Sequence, residues 1–565
     1  MEVIKHDIIV FGAGATGLRA AVEAQRFSNN VAVVSKVHPM RVQSTMATSL
    51  NAAFREGDNW EDHVFDTVKG SDYMGDEDAI TYLCEHGKED TLELERFSLL
   101  FSRDPDGGFT KKTNGSGGQR FPRSIFTADR TGHTIVRTLY GYLQNTGVTI
   151  YDEWYVTKII VEDNVVRGLT CINLKNGKMY YLHARVVIVC TGGYGQVYYP
   201  RSTNALSTTG DGMALSFLAG TRLLDMEFVQ FHPTSLFGTN ILMSEACRSS
   251  GAYLRNNAGE RFMSKYAPEK IELATRDVVS RGIQSEIELG NGIDGKEYVH
   301  LDLRHLGAKK ILHYLPKNRE LAIRYIGRDM ITDPIPIQPA QHYSMGGVEV
   351  TLDCESRVQG LLAAGEAACV SVQGANRLGG NSVLETIVFG KRAGARAGAL
   401  AKDMSEGRVP LEQIGAEEAR ITDILNNSNG KDHGLAVKRE LGRVMNSNVG
   451  VFRRGEDIAK AIELVRELRE RATHVAVNQR SSLVFNNELV DRLELDNMTM
   501  LAEMIATCAL NREESRGSHF RRDFPQRDDE KFGVHTTITQ DGKGGFTLGT
   551  KPVVHIKHMP AVRTY

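Results

Sequence analysis

The sequence predicts an α/β protein in which a dinucleotide-binding, Rossmann-like domain is interrupted by an inserted α+β domain and followed by a helical domain and a C-terminal segment. Three observations carry this. Residues 7 to 35 alternate strand, glycine loop, helix and strand; a glycine-bounded apolar strand resumes that style at Leu361; and beyond about residue 405 apolar side chains recur at helical spacing.

The opening unit sets Ile8 to Phe11 as a strand, Gly12-Ala13-Gly14-Ala15-Thr16-Gly17 as the loop, Leu18, Ala21, Val22 and Ala24 as a helix face, and Val31 to Val34 as the second strand. In such a loop the first glycine permits the turn, the second admits a pyrophosphate to backbone N–H groups, and the third lets helix and strand pack, while the helix N-terminus favours negative charge. The acidic residue that usually binds ribose after the second strand is absent, because Ser35-Lys36 stand there, and FAD is favoured over NAD. Residues 154 to 191 read as a meander with turns at Asp163-Asn164 and Asn176-Gly177, feeding Val186 to Val189 back into the first sheet. The expected domains are 1–236 and 346–404 for nucleotide binding, 237–345 for the insertion, 405–515 for helices and 516–565 for the C-terminal segment. Ile458, Ile462, Val465 and Leu468 mark one helix face, whereas residues 516 to 565 show little periodicity and read as a tail lying over another surface.

A chain of 565 residues exceeds one core, and its composition, 41% hydrophobic and 24% charged with net charge -2, is that of a soluble globular protein with no basic bias to recruit nucleic acid. Cysteines at 84, 171, 190, 247, 354, 369 and 508 form no CxxC pair, so neither a disulfide framework nor a metal or iron–sulfur site is indicated. The early first strand leaves no room for a signal peptide, and no apolar run approaches the roughly 20 residues of a membrane span. The expected location is cytoplasmic, peripheral to the membrane only through partner subunits.

Three segments carry the chemistry: Phe231-His232-Pro233-Thr234, Gln341-His342-Tyr343-Ser344-Met345-Gly346-Gly347 and Gly374-Ala375-Asn376-Arg377-Leu378-Gly379-Gly380. A lone His232 before proline is more often a turn residue than a ligand, but together with His342 and the glycine-flanked Arg377 it offers scattered donors that could converge on a small dianion. Glu245 and Arg248, three apart, could meet on a helical turn, although an exposed ion pair is the plainer account. Arg276-Asp277 opens a helix-like run through Val278, Val279, Ile283 and Ile287, where an arginine is ordinarily solvated.

With the glycine loop, Ser35-Lys36-Val37, Ala128 to His133, Thr191 to Gly195, Thr209-Gly210-Asp211-Gly212, the three segments above, Ala364-Gly365-Glu366 and Glu514 to His519 in view, the chain resembles the flavoprotein subunit of succinate dehydrogenase and fumarate reductase. The resemblance implies an FAD-binding domain whose insertion caps the isoalloxazine. It implies that His232, Ser244, His342 and Arg377 hold the carboxylates of succinate or fumarate, with Ser244 where the family commonly has threonine. Arg276 would exchange the proton with substrate carbon, and Glu245 and Arg248 would relay it. Besides the loop, Ser35, Lys36, Asp211, Glu366, Asn381 and Ser382 would contact FAD. Electrons would pass to a separate iron–sulfur subunit, since this chain has no cluster ligands, and other subunits could supply a membrane anchor. The rival readings are a soluble thiol-driven fumarate reductase subunit or an L-aspartate oxidase-like enzyme and, from another class, a flavoprotein that binds without turnover.

Two departures stand out. The family's FAD-attaching histidine follows a Lys-Val-x-Pro-x-Arg stretch, present as Lys36 to Arg41, but Gln43 and Ser44 occupy the attachment position, which predicts noncovalent FAD, with His38 an unpromising substitute beside Pro39. Residues 111 to 118 also lack the aromatic residue that the family often packs against substrate, leaving the choice of dicarboxylate less constrained.

Overall fold

The computed structural model describes residues 1–110, 117–427 and 430–563, without the side chain of residue 427. The position of the missing aromatic residue, within 111–116, lies outside the described residues.

Val and Ile runs that are apolar on both faces form the central parallel strands, as expected where helices cover a sheet on both sides. Glu2–Phe11 pairs in parallel with Val31–Ser35 on one edge and Lys178–Val189 on the other, and Thr149–Asp152 extends the sheet beyond Val31–Ser35. The far edge of Lys178–Val189 is divided. Its first half pairs antiparallel with Val165–Asn173, which pairs in turn with Trp154–Glu162, and its end pairs in parallel with Leu361–Ala363. The meander and its return strand are therefore part of the nucleotide-binding sheet, and Asp163 and Asn164 make its turn at positive φ.

A second core, including Leu254, Ile283, Leu301 and Ile337, lies in the inserted region. It is built on a sheet ordered Val229–Leu236, Ile335–Ser344, Val299–Asp302, Tyr253–Arg255, all antiparallel, with helix Arg276–Glu288 packed on it. The two strands by which the chain enters and leaves this region are thus neighbours. Four long helices, Leu411–Asn427, Gly434–Asn448, Gly455–Thr473 and Asn487–Asn511, follow; Ile458, Ile462, Val465 and Leu468 are all buried. No helix among the described residues is long and apolar enough to cross a membrane.

The C-terminal segment is more ordered than its weak periodicity suggests. Val534–Gln540 and Phe546–Pro552 form a hairpin around the glycine-rich loop, and Thr537 and Ile538 pair with Leu224 and Leu223. Thr536, Thr537 and Thr539, set beside His535 and Ile538, conceal a strand that a search for apolar alternation passes over. Within it, fully buried His535 bonds Asp225 Oδ2 at 2.6 Å and Asp76 Oδ1 at 3.0 Å. Burial alone would lower its pKa, but the two carboxylates raise it from 6.5 to about 9. The folded value exceeds the unfolded one, so this stabilisation is complete below pH 6.5 and is lost as pH rises through about 9. The melting-temperature gap between wild type and His535→Gln is expected to shrink over that interval by the equivalent of roughly 3 kcal/mol; a gap independent of pH would refute the pairing.

Candidate active site

One cavity runs from the glycine loop to the three chemistry-bearing segments, lined by Gly12 to Thr16, Ser35, Lys36, Thr191, Asp211 and Glu366 at one end and by His232, Ser244, Glu245, Arg276, His342 and Arg377 at the other.

The nucleotide end fits a dinucleotide. Gly12 has φ +116, and a Cβ there would stand 2.4 Å from the Cys190 carbonyl oxygen, so only glycine lets the loop pass beneath the sheet edge. Helix Ala15–Ala24 starts behind Gly14, which has no side chain to cap it, and directs its positive end into the cavity. Thr191, which lines the cavity, has its Oγ1 buried and without a hydrogen-bond partner among the described residues. Glu366 accepts the Ser344 N–H at 3.0 Å, and burial pushes its carboxyl up to about 7, suited to exchanging hydrogen bonds with hydroxyls. Lys36 Nζ is bonded at 2.6 Å to each of Thr209 Oγ1, Asp211 Oδ2 and Glu494 Oε1. Burial would lower its pKa, but Asp211 and Glu494 hold it above the ordinary lysine value. Gly17 lies behind the loop and Ser382 lines the cavity, but Asn381 does not: its amide is committed to His63 Nε2 and Thr67 Oγ1, both at 3.0 Å.

At the other end, His232 lies on strand Val229–Leu236 and His342 on its partner Ile335–Ser344, not on free turns; the register breaks around Pro233, which has no N–H to donate. Their rings meet edge to face at 4.9 Å. Burial, then neighbouring cations, hold His232 well below pKa 6.5, and burial and then His232 do the same for His342, so both imidazoles are neutral. The Thr234 N–H donates to His232 Nδ1 at 3.2 Å, which leaves the ring proton on Nε2 as a donor. His342 Nδ1 is 2.7 Å from Thr203 Oγ1, and Ser244 Oγ is 3.1 Å from Thr48 Oγ1.

Arg276 is the first residue of its helix and is buried, not solvated. Its Nε and Nη2 reach Glu245 Oε2 at 2.9 and 2.8 Å, and Nη1 donates to Gln230 Oε1 at 3.0 Å. The same Gln230 oxygen accepts from Arg377 Nε at 3.3 Å, while Arg377 Nη1 donates to Ser382 and its guanidinium lies 4.5 Å over the Tyr343 ring. Gln230 was not foreseen, although its place two residues before His232 on a strand puts both on one face. Glu245 and Arg248 do meet on a helical turn, but buried: Arg248 Nη2 is 3.9 Å from Glu245 Oε2, its Nη1 donates to the Glu272 carbonyl at 2.6 Å, and its Nε and Nη2 have no hydrogen-bond partner among the described residues. Arg248 lies behind the cavity wall and does not line it. Gly379 faces this group; a Cβ there would be 2.7 Å from Glu245 Oε2 and 3.1 Å from Arg276 Nη2.

Burial would raise the Glu245 carboxyl, but Arg276, Arg248 and the Gly117 N–H bring it to about 2. Burial and Arg276 lower Arg377 to about 9, and burial and Arg276 also lower Arg248. Three guanidiniums against one carboxylate, with both imidazoles neutral, leave a net +2 at this end of the cavity. That charge complements a dianion.

A profile for an FAD binding domain matches residues 7–383, and one for a fumarate reductase flavoprotein C-terminal region matches 438–565. The succinate dehydrogenase flavoprotein subunit of Rickettsia bellii is 38% identical, with 97% of this chain and 95% of that one covered. The fumarate reductase flavoprotein subunit of Escherichia coli is also 38% identical, over 100% and 96%. A solved mutant of the E. coli quinol fumarate reductase flavoprotein superposes with a TM-score of 0.96 at 37% identity, covering 100% of this chain and 99% of that one.

Proposed function

Because this chain belongs to the family of succinate dehydrogenase and fumarate reductase flavoprotein subunits, FAD-binding oxidoreductases, we propose that it interconverts succinate and fumarate and exchanges the electrons with a separate iron–sulfur subunit. The observation that carries this reading is the cluster of donors, His232, Ser244, Arg276, His342 and Arg377, lining the cavity that also holds the nucleotide loop, with Arg248 behind its wall adding to the positive charge. FAD, when bound, supplies the two-electron hydride chemistry at flavin N5.

The chain's own residues do the rest. His232 Nε2, Ser244, His342 and Arg377 bind the two carboxylates, fixing the carbon–carbon bond and stabilising charge that builds on one carboxylate as the bond order changes. Arg276 holds the proton exchanged at substrate carbon, with its guanidinium plane set by Glu245 and Gln230. An arginine, with a free pKa above about 12, serves as an acid only if its proton is replaced at once. Arg248, whose pKa burial and Arg276 depress, is the group placed to replace it, and Glu245 stands between it and Arg276. Reduced-dye oxidation with fumarate and dye reduction with succinate test the proposal. Turnover of neither by the flavin-loaded protein would end it.

Noncovalent FAD belongs to the same proposal. Gln43 Oε1 accepts the Ala205 N–H at 2.6 Å and Ser44 Oγ the Ala15 N–H at 3.1 Å, so both are committed to backbone. His38 is occupied too: Nδ1 accepts from the Met40 N–H at 3.2 Å, and Nε2 is 3.4 Å from Tyr140 Oη. Acid precipitation is expected to leave the yellow flavin in the supernatant. Flavin retained in the pellet would show a covalent bond.

A further inference from the structure

Helix Arg276–Glu288 is held along one face by the C-terminal segment. Asp277, its carboxylate fully buried, pairs with Arg563 and, at 3.1 Å, with Arg281. Arg281 donates to the Gly517 carbonyl at 2.9 Å and lies 5.1 Å over the Phe520 ring. Glu288, the last residue of the helix, pairs with Arg522. Positions 277, 281 and 288 are separated by helical spacings and share a stripe.

The chain leading to Arg563 is anchored elsewhere. Glu77 collects the N–H groups of Ile556, Lys557 and His558 at 2.6, 2.9 and 3.1 Å, and Asp76 accepts that of Val554 at 2.8 Å. These two acids begin helix Glu77–Arg96, which packs on helices Trp60–Gly70 and Asn381–Asp403, and the second of these presents its N-terminus to the cavity. Arg563 Nε also lies 3.8 Å from Asp72, which accepts the Gly517 N–H at 2.7 Å.

We propose that Arg563 is a positioning residue for Arg276. It joins Asp277, the next residue in the chain, to Asp72 on the body that carries the nucleotide site, and so fixes the first turn of the helix from which the Arg276 side chain projects. The contact is buried, with only 10% of the Arg563 side chain exposed, so a dislodged Arg563 leaves Asp277 an incompletely neutralised interior charge and the helix start free to shift. A displacement of about 1 Å in a proton donor can cost as much as 10²-fold in rate. The inference rests on the reading of Arg276 as the proton-exchanging residue.

The test uses the full-length, FAD-loaded protein. Arg563→Ala is expected to lower kcat for fumarate about ten-fold with KM changed less than about three-fold, to enlarge the solvent deuterium isotope effect on kcat, and to leave flavin content intact. Arg563→Lys should restore most of kcat by keeping the charge. Hydrogen exchange over residues 276–281 should quicken in Arg563→Ala, and this readout needs no turnover. Wild-type kcat and isotope effect, unchanged exchange, or a loss of rate that only tracks lost flavin would each overturn the proposal. If Arg563→Ala does not fold, Asp277→Asn, which keeps both arginines and removes the charge they share, carries the same comparison. An Arg276→Ala enzyme that still turns over would remove the premise about Arg276 while leaving the exchange result to judge the Arg563 contact by itself.

Discussion

Arg276→Ala is expected to lower kcat for fumarate reduction and for succinate oxidation by a common factor of about 10²–10⁴, with FAD still bound. The factor is common if, as proposed, Arg276 gives the proton in one direction and takes it in the other. Loss of flavin is not expected, because Arg276 is held by Glu245 and Gln230 at the substrate end of the cavity and not by the glycine loop. Arg276→Lys should restore little: a single ammonium cannot span Glu245 Oε2 and Gln230 Oε1 as the three guanidinium nitrogens do. Parallel dye-linked assays in both directions, with flavin absorbance as the control, check this. Activity within ten-fold of wild type in either direction would remove Arg276 from the chemistry, and unequal losses would show that a step other than the proton exchange limits one of the directions.

The parts of this site legible in the sequence are those where a local backbone need leaves a mark. Gly12 is required by a positive φ and a crowded sheet edge, and a strand and helix on either side advertise the loop. Gly379 is required by two side chains lying over it, which is why a glycine stands two residues after Arg377. His232 and His342 stood out for their flanking residues, but the flanks suggested turns; they are paired strands, and only the partner strand reveals it. Gln230 left no mark of its own, because an amide in an apolar strand looks like tolerated polarity until two guanidiniums meet on its oxygen. Asn381 errs the other way: it sits in a motif beside the cavity, yet its side chain serves to tie the helix start to His63 and Thr67. Arg563 and His535 act across hundreds of residues of chain, on Asp277, Asp76 and Asp225, and no spacing rule reaches that far.

Arg377→Gln is the other large effect expected. Burial and Arg276 lower the Arg377 guanidinium to about 9, a strain that its contacts with Tyr343 and Ser382 offset only in part. An arriving carboxylate relieves that strain while gaining charge-assisted hydrogen bonds, so removing the cation forfeits both contributions. Truncating one member of a buried charge pair costs about 2–5 kcal/mol, which places the rise in fumarate KM at about 30-fold or more. Malonate, a dicarboxylate that offers the same charges but no double bond to form, should lose affinity as an inhibitor by a similar factor, because the contact exists before any chemistry. If malonate binding weakens while KM for fumarate does not, Arg377 holds only the analogue. If both stay within about three-fold of wild type, the net +2 at this end of the cavity is not what selects a dianion.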